Sequence, residues 1–285
     1  MQEVQLLIME IIKLYIMTYS EIVEKLWDIY SNDNPSVKRI HELFESEGEK
    51  VQNDHIAFRT FNDPRVNAEV LAKPFLSVGY KKGGEYEFKA KKLRAIHLEN
   101  LDIPDSPKVF ISELKTEEFS RFLNKTVKDI LDQITEEKLN SDDLFLSGTI
   151  WKDVSFDAYQ KLREESEYAA WVYVWGFRAN HFTVNVNAFN TLATLEEVNQ
   201  FLKDKGFKMN SSGGEIKGTP EMLLQQSSIL ADIVEVDFTE GSREIPSCYY
   251  EFALRYPDVK GNLFQGFHAD SADKIFESTH FYKKD

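Results

Sequence analysis

The chain of 285 residues has a single cysteine, Cys248. One thiol excludes an intrachain disulfide framework and any cysteine-rich zinc or iron–sulfur site. A bound metal would have to be held by His, Asp or Glu. Positive charge is also scarce: 34 Lys and Arg face 48 Asp and Glu, a formal net charge of −14. A phosphate-backbone binder needs a basic footprint, so nucleic acid is not an expected partner. Long hydrophobic runs are missing. The richest stretch, Val4 to Met17, is shorter than the roughly 20 apolar residues of a membrane span and is broken by Glu10 and Lys13. It lacks the positive start and small-residue cleavage site of a secretory signal. The chain therefore reads as cytoplasmic, with no membrane partner. No Gly-rich phosphate loop, Gly-x-Ser-x-Gly elbow or His-Glu-x-x-His helix occurs, and Ser212-Gly213-Gly214 is only a turn.

At roughly 150 residues per domain, the length allows two domains or one large one. No low-complexity segment or flexible linker divides the chain, so a single domain over 18–285 is expected. Residues 1–17 are expected to form a helical extension, either packed on the body or lying upstream of a start at Met17. Thr18 to Glu21 has the pattern of a capping box. Ile22, Leu26 and Ile29 follow at helical spacing, and Asn34-Pro35 opens a second helix lined by Val37, Ile40, Leu43 and Phe44. Asp54 to Thr60 is β-rich and ends at the turn Asn62-Asp63-Pro64. Val66 to Leu76 reads as a helix disturbed at Pro74. Strands are expected over Glu85 to Lys89, Leu93 to Leu98 and Lys108 to Leu114, with Lys82-Gly83-Gly84 as a break. Long helices follow over Glu117 to Ile134 and Phe156 to Trp175. Then come strand Asn180 to Ala188, helix Leu195 to Lys205 capped by Gly206, and strands Leu230 to Phe238 and Ser247 to Arg255. The tail reads as a loop from Gly261 and a short helix from Ala272 to Glu277.

A weak internal repeat runs through this order. Asp54-His55-Ile56-Ala57-Phe58 and Asn180-His181-Phe182-Thr183-Val184 share an acid or amide, a histidine and a β run. Each series then gives a helix and strands, and closes on a strand with a glutamate, Glu113 or Glu251.

Six histidines occur, few enough to weigh singly. Alternation places His55, Ala57 and Arg59 on one strand face, His181, Thr183, Asn185 and Asn187 on another, and Tyr249, Glu251, Ala253 and Arg255 on a third. Polar residues on a face that should be buried are costly unless paired or bound. The Asn185/Asn187 face suggests the lining of a wet cavity. Two histidines and one carboxylate form the facial triad of non-haem iron, which leaves positions open for a 2-oxo acid and dioxygen. His55, His181 and Glu251 can supply that set. Glu113 competes as the carboxylate, and a strand histidine can equally be a hydrogen-bonded structural residue. Arg59 offers a planar fork for a carboxylate, about 13 Å along the strand from His55. A structural ion pair is its alternative role. His97 remains open, His41 is expected at the surface, and His268 and His280 lie in the tail, where His268 could cover a site. Cys248 is expected to be a small core residue.

The segments Asp54-His55-Ile56-Ala57-Phe58-Arg59, Asn180-His181-Phe182-Thr183-Val184-Asn185, Leu224-Gln225-Gln226-Ser227-Ser228 and Tyr250-Glu251-Phe252-Ala253-Leu254-Arg255 together resemble the 2-oxoadipate dioxygenase/decarboxylase family. The resemblance runs from about Thr18 to the C-terminus. It implies an α+β fold of the vicinal-oxygen-chelate type. Paired β-α-β-β-β modules, about 50–135 and 175–258, would form a partly closed barrel around a metal, with flanking helices and a C-terminal loop and helix. It implies Fe(II) held by His55, His181 and Glu251, with Arg59 on a substrate carboxylate. The implied reactants are O2 and a small 2-oxo acid, with 2-oxoadipate giving 2-hydroxyglutarate and CO2; the alternatives are another metal-dependent enzyme of this fold (an isomerase, lyase or extradiol-type dioxygenase) or a non-catalytic binding module. Oligomeric state is not legible.

Overall fold

The computed structural model describes residues 17–268. The expected extension before Met17, the helix from Ala272 and His280 lie outside the described residues. Thr18 caps α1 (Tyr19–Asp33). Its hydroxyl accepts from the Glu21 N–H, and the Glu21 carboxylate accepts from the Thr18 N–H, the expected reciprocal box. Pro35 begins α2 (Pro35–Ser46). The Asn34 side chain does not cap that helix. Its oxygen accepts from Ser247 Oγ and the Cys248 N–H, which ties the helix pair to a distant loop.

The remaining elements follow in chain order. The first half holds β1 (Asn53–Phe61), α3 (Ala68–Ser77), β2 (Lys81–Phe88), β3 (Leu93–Glu99), β4 (Lys108–Leu114) and α4 (Arg121–Leu131). Next come the short α5 (Glu136–Leu139), then α6 (Phe156–Glu165) and α7 (Glu167–Trp175). The second half holds β5 (Ala179–Asn185), α8 (Leu195–Asp204), β6 (Lys217–Thr219), β7 (Leu224–Ser228), β8 (Ile233–Phe238), β9 (Gly241–Pro246) and β10 (Glu251–Arg255).

Eight strands form one sheet in the order β2-β3-β4-β1-β5-β10-β7-β6, curled into a half-barrel, and β8-β9 is a separate hairpin. The order has a pseudo-two-fold at its centre. β1 pairs parallel with β4 and β5 pairs parallel with β10, while β1 and β5 pair antiparallel with each other. At that seam His55 lies opposite Thr183 and Ala57 opposite His181, so the two histidine positions exchange under the two-fold. Core residues such as Ile56, Phe58, Phe182, Val184 and Phe252 alternate with the site residues along these strands and are buried.

Several expectations change. The helix over Phe156 to Trp175 is broken at Ser166, whose extended backbone lets its hydroxyl cap α7 at the Ala169 N–H. The helix over Glu117 to Ile134 shortens to α4, because Ser120 caps a fresh start at Leu123 N–H. The strand through Ala188 stops at Asn185, and residues 186–188 form a 3-10 turn. Only Glu251–Arg255 of the stretch from Ser247 is strand. Strand β7 carries polar Gln225, Gln226, Ser227 and Ser228, which hides it from a hydrophobic-pattern search.

Lys82-Gly83-Gly84 is not a break but lies within β2, at a register shift against β3. The glycines are needed there for close approach. A Cβ on Gly83 would lie 2.2 Å from His97 Nε2. His97 cannot easily yield, because it is 2% exposed and its ring nitrogens meet Tyr86 Oη and Glu99 Oε1, each at 2.8 Å. Gly83→Ala is therefore expected to cost about 1–3 kcal/mol of stability, the usual range for overpacking. Urea denaturation measures it, and an unchanged midpoint would show that the ring moves freely.

Candidate metal centre

His55 stands on β1, His181 on β5 and Glu251 on β10, so three adjacent strands of the seam each present one group. One ligand atom from each lies within 4.8 Å of the others. His55 Nε2 is 3.5 Å from Glu251 Oε1, and His181 Nε2 is 3.4 Å from Glu251 Oε2. All three side chains are buried.

Both rings are aimed by the residue before them. His55 Nδ1 meets Asp54 Oδ1 at 2.7 Å, and His181 Nδ1 meets Asn180 Oδ1 at 3.0 Å. Such a partner on Nδ1 fixes the ring and leaves Nε2 for a metal. The acid-or-amide before each histidine, visible in the repeat, is this device. Thr183 Oγ1 lies 3.1 Å from His55 Nε2, and Gln226 Nε2 donates to Glu251 Oε1 at 2.5 Å. Gln226 was not anticipated as a site residue. Its position depends on the β7–β10 register, which sets it opposite Ala253.

The electrostatics suit a cation. Burial pushes both imidazoles below their ordinary pKa, and for His181 the neighbouring His55 and Arg59 add to it. Neutral imidazole is the form that binds metal. Burial pushes the Glu251 carboxyl up to about 8, against the lowering effect of the Gln226 hydrogen bond. Glu251 Oε2 is buried without a hydrogen-bond partner. An orphaned carboxylate oxygen facing two neutral imidazoles is the residue set a divalent metal fits, since a bound cation reverses the cost of the charge. Asp54 differs. Burial raises its carboxyl, but Arg255 and His55 together outweigh burial and hold it well below the carboxylate range. Arg255 Nε and Nη2 reach the two Asp54 oxygens at 2.6 and 2.8 Å.

Glu113 is not part of the cluster. Its Oε2 accepts from the Ala68 N–H at the start of α3, and its Oε1 lies 3.3 Å from Arg94 Nε. The reason is register. Glu251 pairs with the residue two beyond His181, whereas Glu113 pairs with Thr60, five beyond His55. The true first-half counterpart of Glu251 is Phe110, opposite Ala57.

Arg59 is 2% exposed. Its guanidinium carbon lies 5.2 Å from the ring centroids of both Tyr168 and Trp171. Its charge also acts on Tyr249, whose ring stacks on His181 at 4.7 Å. Arg59 and Tyr168 line a cavity of about 640 Å³ together with Lys91, Lys92 and Arg163. Asn185 and Asn187 line a second, polar cavity of about 310 Å³ with Asp54 and Arg255, in keeping with the wet face expected of them. Among the other histidines, His97 is held by Tyr86 and Glu99, and His41 is half-buried beside Trp27 rather than at the surface. His268 approaches the Met222 carbonyl oxygen at 2.5 Å. The ring over His55 is that of its neighbour, Phe267. Cys248 is buried.

The profile of the 2-oxoadipate dioxygenase/decarboxylase family matches residues 13–262. The chain belongs to that family. An Arabidopsis thaliana protein named 2-oxoadipate dioxygenase/decarboxylase, chloroplastic, is 34% identical over 92% of this chain and 77% of its own length. The solved hydroxyglutarate synthase of Oryza sativa, in complex with 2-oxoadipate, is 33% identical, with a TM-score of 0.86 over 90% of each chain. A solved hydrolase candidate from Shewanella frigidimarina is 51% identical, with a TM-score of 0.82 over 87% of this chain and 96% of that one. A glyoxalase-superfamily protein from Ralstonia eutropha, 19% identical with a TM-score of 0.68 over 85% of this chain and 83% of its own, shows the vicinal-oxygen-chelate type of fold alone. One expectation is corrected. The plant relative is named as chloroplastic, so the cytoplasmic assignment does not stand within this family. Composition reports what a chain can fold into, not where a cell sends it.

Proposed function

We propose that the protein converts 2-oxoadipate and O2 to 2-hydroxyglutarate and CO2, with Fe(II) held by His55, His181 and Glu251. The observation that carries the reading is the buried cluster of two imidazoles and one carboxylate with an orphaned oxygen. Two histidines and a carboxylate with open positions are the ligand set of non-haem iron oxygenases, and bound iron would supply the dioxygen chemistry. The family membership and the 2-oxoadipate in the rice relative support the substrate. Arg59 binds a substrate carboxylate through its fork. It is near enough to His181 to depress that imidazole, and it faces the larger cavity as well. Tyr168 and Trp171 hold the guanidinium in place, so binding costs little side-chain ordering. In a chain of net charge −14, an anionic substrate approaches against the overall field, and Arg59 and the metal give the local attraction.

An oxygen electrode tests the reading. Fe(II)-loaded protein should consume oxygen with 2-oxoadipate and release CO2 under air but not under argon. CO2 release under argon, or none under air, would overturn it, and an isomerase, lyase or hydrolase would consume no oxygen. Arg59→Ala is expected to raise KM by roughly 10- to 100-fold, the worth of a hydrogen bond to a charged group. Fe(II) affinity should stay near wild type. An unchanged KM would remove Arg59 from the binding site.

A further inference from the structure

Beyond Arg255 the chain returns across the sheet, and its last described residues lie beside the candidate metal centre. The Phe267 ring stands edge-on to His55, with centroids 4.9 Å apart at 86°. It packs on Phe110 at 4.9 Å and lies 5.4 Å from His97 and 5.9 Å from Tyr86. The ring is 7% exposed. Polar ties hold its backbone. Arg255 Nη1 donates to the carbonyls of Phe264 and Gly266 at 3.0 and 2.9 Å, and the Phe267 N–H donates to Tyr86 Oη at 3.2 Å. Arg255 also pins Asp54, which aims His55. The segment and the candidate ligand therefore share one anchor.

Phe110 is the counterpart of Glu251, so Phe267 fills the half of the seam that supplies no carboxylate. The Arg59 flank, in contrast, faces the cavity of about 640 Å³. We propose that Phe267 determines substrate specificity, its ring being the apolar wall that limits the length and bulk of the 2-oxo acid accepted at the metal centre. This rests on the 2-oxo acid reading above. A ring packed on four neighbouring rings, in a segment held by three backbone hydrogen bonds, cannot yield to a larger ligand without breaking those contacts. Truncating it leaves a void beside His55 bordered by aromatic faces, suited to a further methylene or an aryl group. One methylene in such a pocket shifts discrimination by about 10–200-fold.

The experiment compares wild type, Phe267→Ala and the milder Phe267→Leu, each loaded with Fe(II). The probes are 2-oxo diacids of five, six and seven carbons and an arylpyruvate. Binding is measured by calorimetry under argon, and turnover by oxygen consumption. In Phe267→Ala the preference for the six-carbon acid over the seven-carbon acid or the arylpyruvate should fall about tenfold or more. Phe267→Leu should lie between, with Fe(II) affinity in both near wild type. Wild-type binding of 2-oxoadipate together with an unchanged ranking in both variants overturns the inference alone. A wild type that binds none of the acids overturns the 2-oxo acid reading and this inference with it.

Discussion

Glu251→Ala is expected to abolish tight Fe(II) binding and to reduce oxygen consumption with 2-oxoadipate to background. Loss of an outer partner of a ligand typically costs about 10–100-fold in metal affinity, and loss of the only carboxylate in the set should cost more. The metal-free variant should not unfold. Glu251 is buried, its carboxyl is pushed up to about 8, and one oxygen has no hydrogen bond, so it is a burden to the apo fold. The Gln226 amide left behind offsets part of the relief. Function and stability should thus part company at this residue. Anaerobic Fe(II) titration and thermal melting of the apo-protein read the two separately. Glu113→Gln is the control. It alters a helix start outside the cluster and should leave iron binding intact. Wild-type iron affinity in Glu251→Ala would falsify the ligand assignment.

Arg255→Ala is expected to be the most destabilising single change outside the apolar core. The Arg255 and Asp54 side chains are 4% and 3% exposed. Removing one partner of a buried pair leaves an uncompensated charge and costs about 3–5 kcal/mol. The same change releases the carbonyls of Phe264 and Gly266 and loosens Asp54, so iron affinity should fall roughly 10–100-fold through the orientation of His55. The double variant Asp54→Asn/Arg255→Ala should recover part of the stability, because the stranded charge goes with its partner. It also gives His55 the amide that His181 has in Asn180. Denaturant midpoints of the two single variants and the double complete the cycle. Additive losses would mean that the pair is not coupled.

How much of this was legible in the chain depended on period. Strand β1 and the start of β5 carry a histidine within an apolar run, and both were readable. Helix ends were less so, because Ser120 and Ser166 act as caps only where tertiary packing lets the backbone extend. Gly83-Gly84 looked like a turn because the composition of a close approach and that of a break are the same. The choice between Glu113 and Glu251 needed strand register, a long-range quantity to which spacing along the chain is blind. Asp54 and Asn180 were in view as a pattern, yet their role at Nδ1 needed coordinates. Gln226 stood in a quoted segment and Phe267 beside His268, yet neither could be assigned a role, since each acts on residues brought near only by the curled sheet.

The two-fold at the β1–β5 seam has a consequence for ancestry and assembly. An antiparallel pairing in which His55 and His181 exchange places is the contact that two copies of one half would make with each other. The chain is built like a homodimer fused head to tail. A symmetric pair would carry two carboxylates at its axis. Here one of those places is Phe110, and the three candidate ligands come from both halves. Neither half could retain the centre after separation, and the free edge of β1 would be left to pair with another chain. The candidate ligands thus lie on one polypeptide, and the two halves differ around them, a glutamate on one side and a phenylalanine on the other.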